Sequence, residues 1–189
     1  MKRLAVYCGA ATGNDPAYAD MARAMAAVMI EQGIDLVYGG GRLGLMGIVA
    51  DAVLNGGGRV YGVIPSALID LEVGHRNLTE MHIVTTMHER KAKMTELTDA
   101  FVALPGGIGT LDELFEAWTW NALGFHAKPF ALLNVNGFWD GLDGFMDTVV
   151  GAGFLSSARR EQLLMAHSPE EAIKLLDAAM ASAAQGMVW

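Results

Sequence analysis

Short apolar runs that end at glycine alternate along this chain with segments that have the composition of helices. Leu4–Cys8 is such a run, and an Ala- and Met-rich stretch follows it from Pro16 to Gln32. Ile34–Tyr38 repeats the apolar run before three glycines, and an apolar-periodic segment continues from Leu43 to Leu54. Each pair is typical of a strand followed by a helix, so the alternation predicts a parallel sheet.

The alternation continues through the rest of the sequence. Strands are predicted at Arg59–Ile64, Ala100–Leu104 and Phe130–Val135, and helices at His88–Leu97, Thr110–Leu123, Trp139–Val150 and Pro169–Ala184. Met81–Thr85 is also apolar, but the mixed polar loop before it gives no pattern from which its path can be predicted. We therefore expect an α/β fold with a doubly wound parallel sheet and helices on both faces. Ligands of such sheets bind beyond the carboxyl ends of the strands, and Gly39 and Gly106 both follow predicted strands.

The composition favours one domain and a small ligand. The 189 residues are 52% hydrophobic and 18% charged, so we expect a single domain over residues 1–189. The longest apolar stretch, Ala24–Ile30, is much shorter than the roughly 20 residues of a membrane span, and no signal peptide is recognisable. The single cysteine, Cys8, excludes an intramolecular disulfide, so a cytoplasmic location is expected. A net charge of −8 argues against nucleic acid as a partner, because it repels polyanions.

The segment Gly39–Gly44 matches the dinucleotide-binding pattern G-x-G-x-x-G. A predicted strand precedes it and a predicted helix follows it, but the next strand ends in Pro65-Ser66 with no acidic residue for a ribose. Three interpretations remain open: a nicotinamide cofactor, glycines that permit a tight turn, and close contact of Gly40 and Gly41 with a phosphate or ribose. The missing acidic residue argues against the first of them.

The segment Pro105–Glu113 places three glycines and Thr110 at the start of a predicted helix. Backbone amides at such a helix terminus bind anions, and the helix dipole adds about 0.3–2 kcal/mol to the binding of negative charge. The same residues also match a capping box, in which Glu113 would accept a hydrogen bond from the backbone amide of Thr110. The residues alone leave a phosphate site and a local cap equally open.

Four consecutive polar residues, His88 to Lys91, open the predicted helix before the strand at residue 100. A charge run of this kind is usually a solvated helix face. However, Arg90 and Lys91 in a first turn oppose the helix dipole, and a bound anion would offset that cost. The five histidines show no metal-binding spacing, and Cys8 has no evident base beside it, so neither a metal nor a serine or cysteine nucleophile is expected.

Several segments together resemble the LOG (Lonely Guy) family, whose members are often mislabelled lysine decarboxylases. They are Tyr38–Gly41, Gly44–Gly47, Met87–Lys91, Pro105–Glu113, Trp120–Gly124, Lys128-Pro129 and Leu132–Val135, which together extend over almost the whole chain. The resemblance implies a Rossmann-like fold, a homodimer and phosphoribohydrolase activity, by which a cytokinin riboside 5′-monophosphate or AMP becomes free base and ribose 5-phosphate. Nothing in the sequence marks a pyridoxal lysine, and hydrolysis needs only water, so no cofactor is expected.

The resemblance also implies roles for individual residues. Arg90 and Glu113 match the catalytic pair of the family. The phosphate loop is matched by Gly106, Gly107, Gly109 and Thr110, and the expected substrate-binding set is completed by Glu80, Lys91, Asp112, Thr119, Ile108, Leu111, Gly40 and Gly41. Two departures are visible. Thr79-Glu80-Met81 stands where the family usually has G-E-V, and Ala10-Ala11 stands where it usually has serines, which leaves the preference for base or sugar open.

The bond to be broken suggests a mechanism. Cleavage of C1′–N9 develops positive charge on the ribose, and we expect the Glu113 carboxylate to stabilise that charge and to orient or deprotonate water. Arg90 is too weak an acid to donate a proton, so we expect it to stabilise the departing base or to contact the nucleotide. His88 is a candidate acid, because histidine is the usual proton donor in enzymes, although adjacent helix positions face different directions.

Two other functions remain open from the sequence. A non-catalytic nucleotide or cofactor carrier could use the same fold and phosphate loop, but it would have no need of the Glu113 carboxylate. A nicotinamide-dependent oxidoreductase would show a spectroscopic shift of its cofactor. The apolar end of the chain, Met180–Trp189, is compatible both with a subunit interface and with packing inside the monomer.

Overall fold

The computed structural model describes residues 1–69 and 74–185. Within these residues seven short strands form one parallel sheet: β1 (Arg3–Tyr7), β2 (Asp35–Tyr38), β3 (Val60–Pro65), β4 (Glu80–Val84), β5 (Ala100–Ala103), β6 (Phe130–Leu133) and β7 (Leu163–Ala166). Their order across the sheet is β4-β3-β2-β1-β5-β6-β7. The chain therefore winds outward in one direction from β1 and in the other direction from β5, which confirms the predicted doubly wound parallel sheet.

Helices cover both faces of this sheet. They are α1 (Pro16–Glu31), α2 (Gly44–Asn55), α3 (Met87–Leu97), α4 (Ile108–Ala122), α5 (Asp140–Gly151), α6 (Ser157–Arg160) and α7 (Pro169–Gln185), with a short 3₁₀ turn at Ser66–Leu68. Buried side chains of α1, α2 and α7 pack against one face. Those of α3, α4 and α5 pack against the other face, so the sheet lies between two apolar layers. No helix among the described residues is long and apolar enough to cross a membrane.

The structure contains two strands that the sequence analysis did not assign. Both β4 and β7 lie at edges of the sheet. An edge strand is covered less completely than a central one, so its residues need not be uniformly apolar: β4 begins with Glu80 and contains His82. The four residues of β7 are apolar, but a run of that length has no periodicity that distinguishes a strand from a helix.

The start of α4 corrects one interpretation of the sequence. The helix begins at Ile108 with Gly107 as its N-cap, so Thr110 is the third residue of the helix and not its cap. The capping box of Thr110 and Glu113, one of the two interpretations left open by the sequence, is therefore absent. A capping box does exist in α3, where the Thr86 hydroxyl accepts from Glu89 N at 3.1 Å and the Glu89 carboxylate accepts from Thr86 N at 3.3 Å.

Part of the apolar C-terminal end lies outside the described residues. Met180 packs against the core beside α1, α2 and α7. Met187-Val188-Trp189, on which the alternative of a subunit interface depended, is not among the residues that the structure describes.

The carboxylate of Asp99 joins the start of β1 to the end of α3. Its Oδ2 accepts hydrogen bonds from Lys2 N at 2.7 Å and from Arg3 N at 2.9 Å. Partial burial raises the pKa of Asp99, but these two donors, with the N-terminal amine and Lys128, outweigh that effect and hold the pKa below its usual value. The ionised carboxylate is therefore favoured by the folded state.

We expect Asp99→Asn to lower the free energy of unfolding at pH 7 by roughly 1 kcal/mol, because the charge-assisted hydrogen bonds become neutral ones. Since the folded pKa is depressed, this contribution is present above the unfolded value of about 3.9 and is lost as the pH falls through the folded pKa. Urea unfolding of both proteins at pH 7 and near pH 3 measures the difference. An equal difference at both pH values would contradict the assignment.

Candidate active site

A cavity of about 450 Å³ opens at the carboxyl ends of β1 and β5, where the winding direction reverses. Its size falls within the range of about 300–1,000 Å³ typical of small-molecule sites. The loops after the two strands are joined by a hydrogen bond from Gly9 N to Pro105 O at 3.1 Å. Parallel strands bring their following loops to one edge, so this position is the expected ligand site of the fold.

The first turn of α4 forms one wall of the cavity. Gly106, Gly107, Gly109 and Thr110 all line it, and no side chain caps the helix. The first backbone N–H groups of a helix have no partner within the helix, so an uncapped N-terminus is suited to binding an anion. A Cβ on Gly106 would collide with the Thr110 side chain and lie 2.9 Å from Gly9 N. Glycine is therefore required at this position for the two loops to meet.

Glu113 lies one turn further along α4 and lines the same cavity. Burial raises the pKa of the Tyr7 hydroxyl and of the Cys8 thiol, and the nearby Glu113 carboxylate raises both further. The carboxylate is thus directed towards the end of β1. Tyr7 and Cys8 are neighbours of the site that the sequence analysis did not identify as such, since only the strand pairing brings β1 beside α4.

Arg90 reaches the cavity from α3 and is only 4% exposed. Its Nε donates to the Val63 carbonyl oxygen at 3.1 Å, and its Nη2 donates to the Gly39 carbonyl oxygen at 2.8 Å. A buried guanidinium needs such acceptors, because it stays charged and cannot be left without hydrogen bonds. These contacts fix the side chain at the ends of β2 and β3.

The glycine motif after β2 makes room for this arginine. A Cβ on Gly39 would collide with the Arg90 guanidinium. Gly40 has a φ of 78° and packs against Ile64 and Met81, and Gly41 pairs with Gly74 in an isolated bridge. Neither Gly40 nor Gly41 is among the residues that line the cavity. In the described part of the chain the motif thus acts through turn geometry and close packing, one of the three interpretations left open by the sequence.

His88 lies on a different side of α3 from Arg90. Its side chain is 75% exposed, its Nδ1 is 3.7 Å from Glu116 Oε1, and its ring stands edge-on to Trp120 at 5.7 Å. It does not line the cavity that holds Arg90 and Glu113. Within one copy of the chain, His88 is therefore not placed to protonate a leaving group in that cavity, and that hypothesis is not supported.

The remaining predicted ligand residues lie outside this cavity. Lys91 Nζ pairs with Asp112 Oδ2 and with Glu116 Oε2, each at 3.0 Å. Partial burial lowers the pKa of Lys91, but the two carboxylates outweigh burial and raise it. An outer groove on α4 is lined by residues that include Asp112, Ile108, Leu111 and Thr119.

Glu80, the first residue of edge strand β4, is also outside the cavity. Its carboxylate lies 3.3 Å from His82 Nε2. The predicted set is thus divided between the cavity, the outer groove and the sheet edge. Among residues 1–69 and 74–185, no three His, Cys, Asp or Glu side chains are grouped as metal ligands.

The sequence of this chain is similar to those of known proteins. Residues 46–176 match the family described as "Possible lysine decarboxylase". The cytokinin riboside 5′-monophosphate phosphoribohydrolase LOG of Oryza sativa is 46% identical over 188 residues, covering 100% of this chain and 78% of the relative. LOG2 of Arabidopsis thaliana is 46% identical over 176 residues, covering 93% of this chain and 83% of the relative. The chain belongs to the LOG family.

Solved structures share the fold of this LOG family member. The molybdenum cofactor carrier protein of Chlamydomonas reinhardtii has a TM-score of 0.71 at 20% identity, covering 96% of this chain and 99% of the carrier. The molybdenum cofactor binding protein of Rippkaea orientalis has a TM-score of 0.70 at 20% identity, covering 94% and 96%. At this identity the likeness concerns the fold alone, which is Rossmann-like as the family resemblance implied.

We expect Gly106→Ala to destabilise the protein by roughly 1–3 kcal/mol, because the added methyl group meets Thr110 and the backbone of Gly9. Gly109→Ala is the matched control in the same loop, since a Cβ there meets nothing within 4 Å. It should leave the stability unchanged or raise it by about 0.4–1 kcal/mol. Urea unfolding of both variants measures the effect, and equal stabilities would contradict the assigned role of Gly106.

Proposed function

We propose that this chain hydrolyses the N-glycosidic bond of a nucleoside 5′-monophosphate, a cytokinin riboside 5′-monophosphate or AMP, to free base and ribose 5-phosphate. One observation carries the proposal: the Glu113 carboxylate lies one helical turn beyond an uncapped, glycine-rich helix N-terminus, in a cavity that also contains Arg90. The names of the LOG relatives, which are phosphoribohydrolases, support the same reaction.

The geometry predicts the orientation of the nucleotide in the cavity. The N-terminus of α4 is the anion-binding end, so the phosphate is expected at Gly107 to Thr110. Glu113 follows Thr110 by three residues, a rise of about 5 Å along the helix, which suits a carboxylate beside the ribose. The acceptors of Arg90 belong to Gly39 and Val63 on the β2 and β3 side, so the base is expected at that end.

The reaction adds water across one bond. The C1′–N9 bond breaks as a water oxygen bonds to C1′, and one water proton goes to Glu113. The base departs with the bonding electron pair and takes a proton from solvent, and Glu113 returns its proton to solvent, so that overall OH is added to C1′ and H to the base. The Glu113 carboxylate also stabilises the positive charge that develops on the ribose. A guanidinium group is a poor proton donor, so the role of Arg90 is to stabilise negative charge on the departing base or to hold the nucleotide.

Glu113→Gln should reduce ribose 5-phosphate release from AMP and from an N6-prenyl-AMP by at least about 10²-fold, because the amide is neither a base nor a counter-charge. Glu170→Gln is the matched control, since Glu170 is exposed in the first turn of α7. Release of sugar phosphate and base is measured with wild type and both variants. Wild-type protein that binds AMP and returns it intact would contradict the proposal and favour the carrier function.

We also propose that the protein is a homodimer in which a second copy covers the α3–α4 face. Ile108 is 86% exposed and Phe125 is 73% exposed, and Met87 and Leu123 are further exposed apolar residues of α3 and α4 or their ends. Several large apolar side chains exposed on neighbouring helices suit an interaction site. A second copy there would also cover the outer groove, which contains the predicted ligand residues Asp112 and Thr119.

Phe125→Asp should shift the protein from dimer to monomer in sedimentation velocity, because it places a charge on the apolar face. Phe154→Asp is the control, since Phe154 is equally apolar and 86% exposed but lies beyond α5. Wild-type protein that sediments as a monomer at tens of micromolar, or a Phe125→Asp variant that remains a dimer, would contradict this assembly.

The reaction is proposed to take place in the cytoplasm and without nucleic acid. The single cysteine, Cys8, is buried and has no disulfide partner in the chain, which is usual for proteins of reducing compartments. The net charge of −8 supports a small nucleotide over a polyanion, since only local donors attract phosphate.

A further inference from the structure

The N-termini of α1, α2 and α4 all point towards the cavity, but they are not equally available to an anion. The Asp15 carboxylate caps α1, accepting from Ala17 N at 2.9 Å. At the start of α2, Leu45 N and Met46 N donate to the Gly9 carbonyl oxygen at 3.0 and 3.3 Å. The N-terminus of α4 has no side-chain cap. Of these three helix starts, only that of α4 retains amides for a phosphate.

Two aromatic side chains stand at the β6 end of the cavity. Tyr18 comes from the first turn of α1 and Phe138 from the loop between β6 and α5, and both line the cavity. Their ring centroids are 5.8 Å apart in an edge-to-face arrangement. The backbone of Gly13 packs directly on the Tyr18 ring, where a Cβ would lie 2.6 Å from Cδ2. The loop after β1 is thus closed onto this aromatic pair.

The loop that carries Phe138 is held in place by several contacts. Asn136, at a φ of 51°, donates from Nδ2 to Asp15 Oδ2 at 2.9 Å, which links the loop to α1. The Asn134 side chain accepts from Trp139 N at 2.9 Å and donates to Asp140 Oδ1 at 2.6 Å. The ring of Phe138 stands edge-on to the buried ring of Trp139 at 4.8 Å. Phe138 is therefore a fixed surface, although 38% of it is exposed.

The order of groups across the cavity follows from the strand order. Phe138 follows β6, the anion-binding turn follows β5, and the acceptors of Arg90 belong to β2 and β3. The aromatic pair and Arg90 are thus at opposite ends, with the N-terminus of α4 between them. Among the described residues that line the cavity, Arg90 is the only lysine or arginine. No described lysine or arginine thus lines the aromatic end, and its neighbour Asp15 is an anion.

We propose that Tyr18 and Phe138 form the wall that restricts the substrate to a single phosphate, a role that rests on the proposed function. A phosphate at the start of α4 would lie between Glu113 and the two aromatic rings. A β-phosphate would have to enter the space of these rings, where no lysine or arginine of the described residues lines the cavity to balance its charge, and where the Asp15 carboxylate, held between α1 and Asn136, is an anion. A nucleoside diphosphate is excluded by this wall, whereas a monophosphate ends in front of it.

Replacing Phe138 tests the wall. The ratio of kcat/KM for AMP over that for ADP is measured for wild type, Phe138→Ala and Phe138→Leu, together with the Kd of both nucleotides. The wild-type ratio is expected to exceed about tenfold, and Phe138→Ala should lower it by about tenfold through better use of ADP. Phe138→Leu should have a smaller effect in the same direction. Phe154→Ala removes an exposed phenylalanine away from the cavity and should leave the ratio unchanged.

Tyr18→Phe separates the ring from its hydroxyl. Because the wall is the ring itself, this variant should discriminate between AMP and ADP as wild type does. A ratio that is unchanged in both Phe138 variants, or that falls because AMP turnover falls, would overturn the proposal. So would loss of discrimination in Tyr18→Phe. If wild type cleaves neither nucleotide, the proposed function fails, and the Kd ratios of the same variants still decide whether the wall exists.

Discussion

The arrangement of the site depends on the hydrogen bonds between the buried guanidinium of Arg90 and two backbone carbonyl oxygens. A permanent charge that is 4% exposed requires acceptors, and the carbonyl oxygens of Gly39 and Val63 provide two of them. Those acceptors belong to the ends of β2 and β3, so the arginine ties α3 to the sheet. Gly39 has no Cβ, and this allows the guanidinium to approach. The Arg90 guanidinium thus requires glycine at position 39, holds α3 against the sheet and forms one end of the cavity.

The distribution of helix N-termini explains why the cavity has one anion-binding position. Three of the helices, α1, α2 and α4, begin beside the cavity, as expected where a doubly wound sheet reverses direction. The start of α1 is satisfied by Asp15, and that of α2 by the Gly9 carbonyl oxygen. The same loop contact that joins Gly9 to Pro105 sets the distance between β1 and the start of α4. The proposed phosphate site and the fold therefore use the same short glycine-rich loops.

The sequence predicted secondary structure correctly where a local pattern is compatible with only one type of element. Five strands and the principal helices were predicted, because buried parallel strands are short apolar runs that stop at glycine or proline. The edge strands β4 and β7 were missed, since partial cover or short length removes that pattern. The sequence left open a capping box at Thr110, and its spacing fits, but the helix starts two residues earlier than the predicted Thr110, at Ile108. Spacing specifies a cap only when the first residue of the helix is known.

The sequence by itself determined the fold class, because apolar periodicity and glycine spacing are local properties of the chain. Its motifs also carried the family resemblance, and that resemblance pointed to Arg90 and Glu113. Only the tertiary structure decided which predicted residues share a cavity. Arg90 and Lys91 are adjacent in sequence, yet Arg90 lines the cavity and Lys91 pairs with Asp112 outside it, since neighbouring helix positions point about 100° apart. The roles of Tyr18 and Phe138 depend on contacts across about 120 residues of chain, which no local pattern encodes.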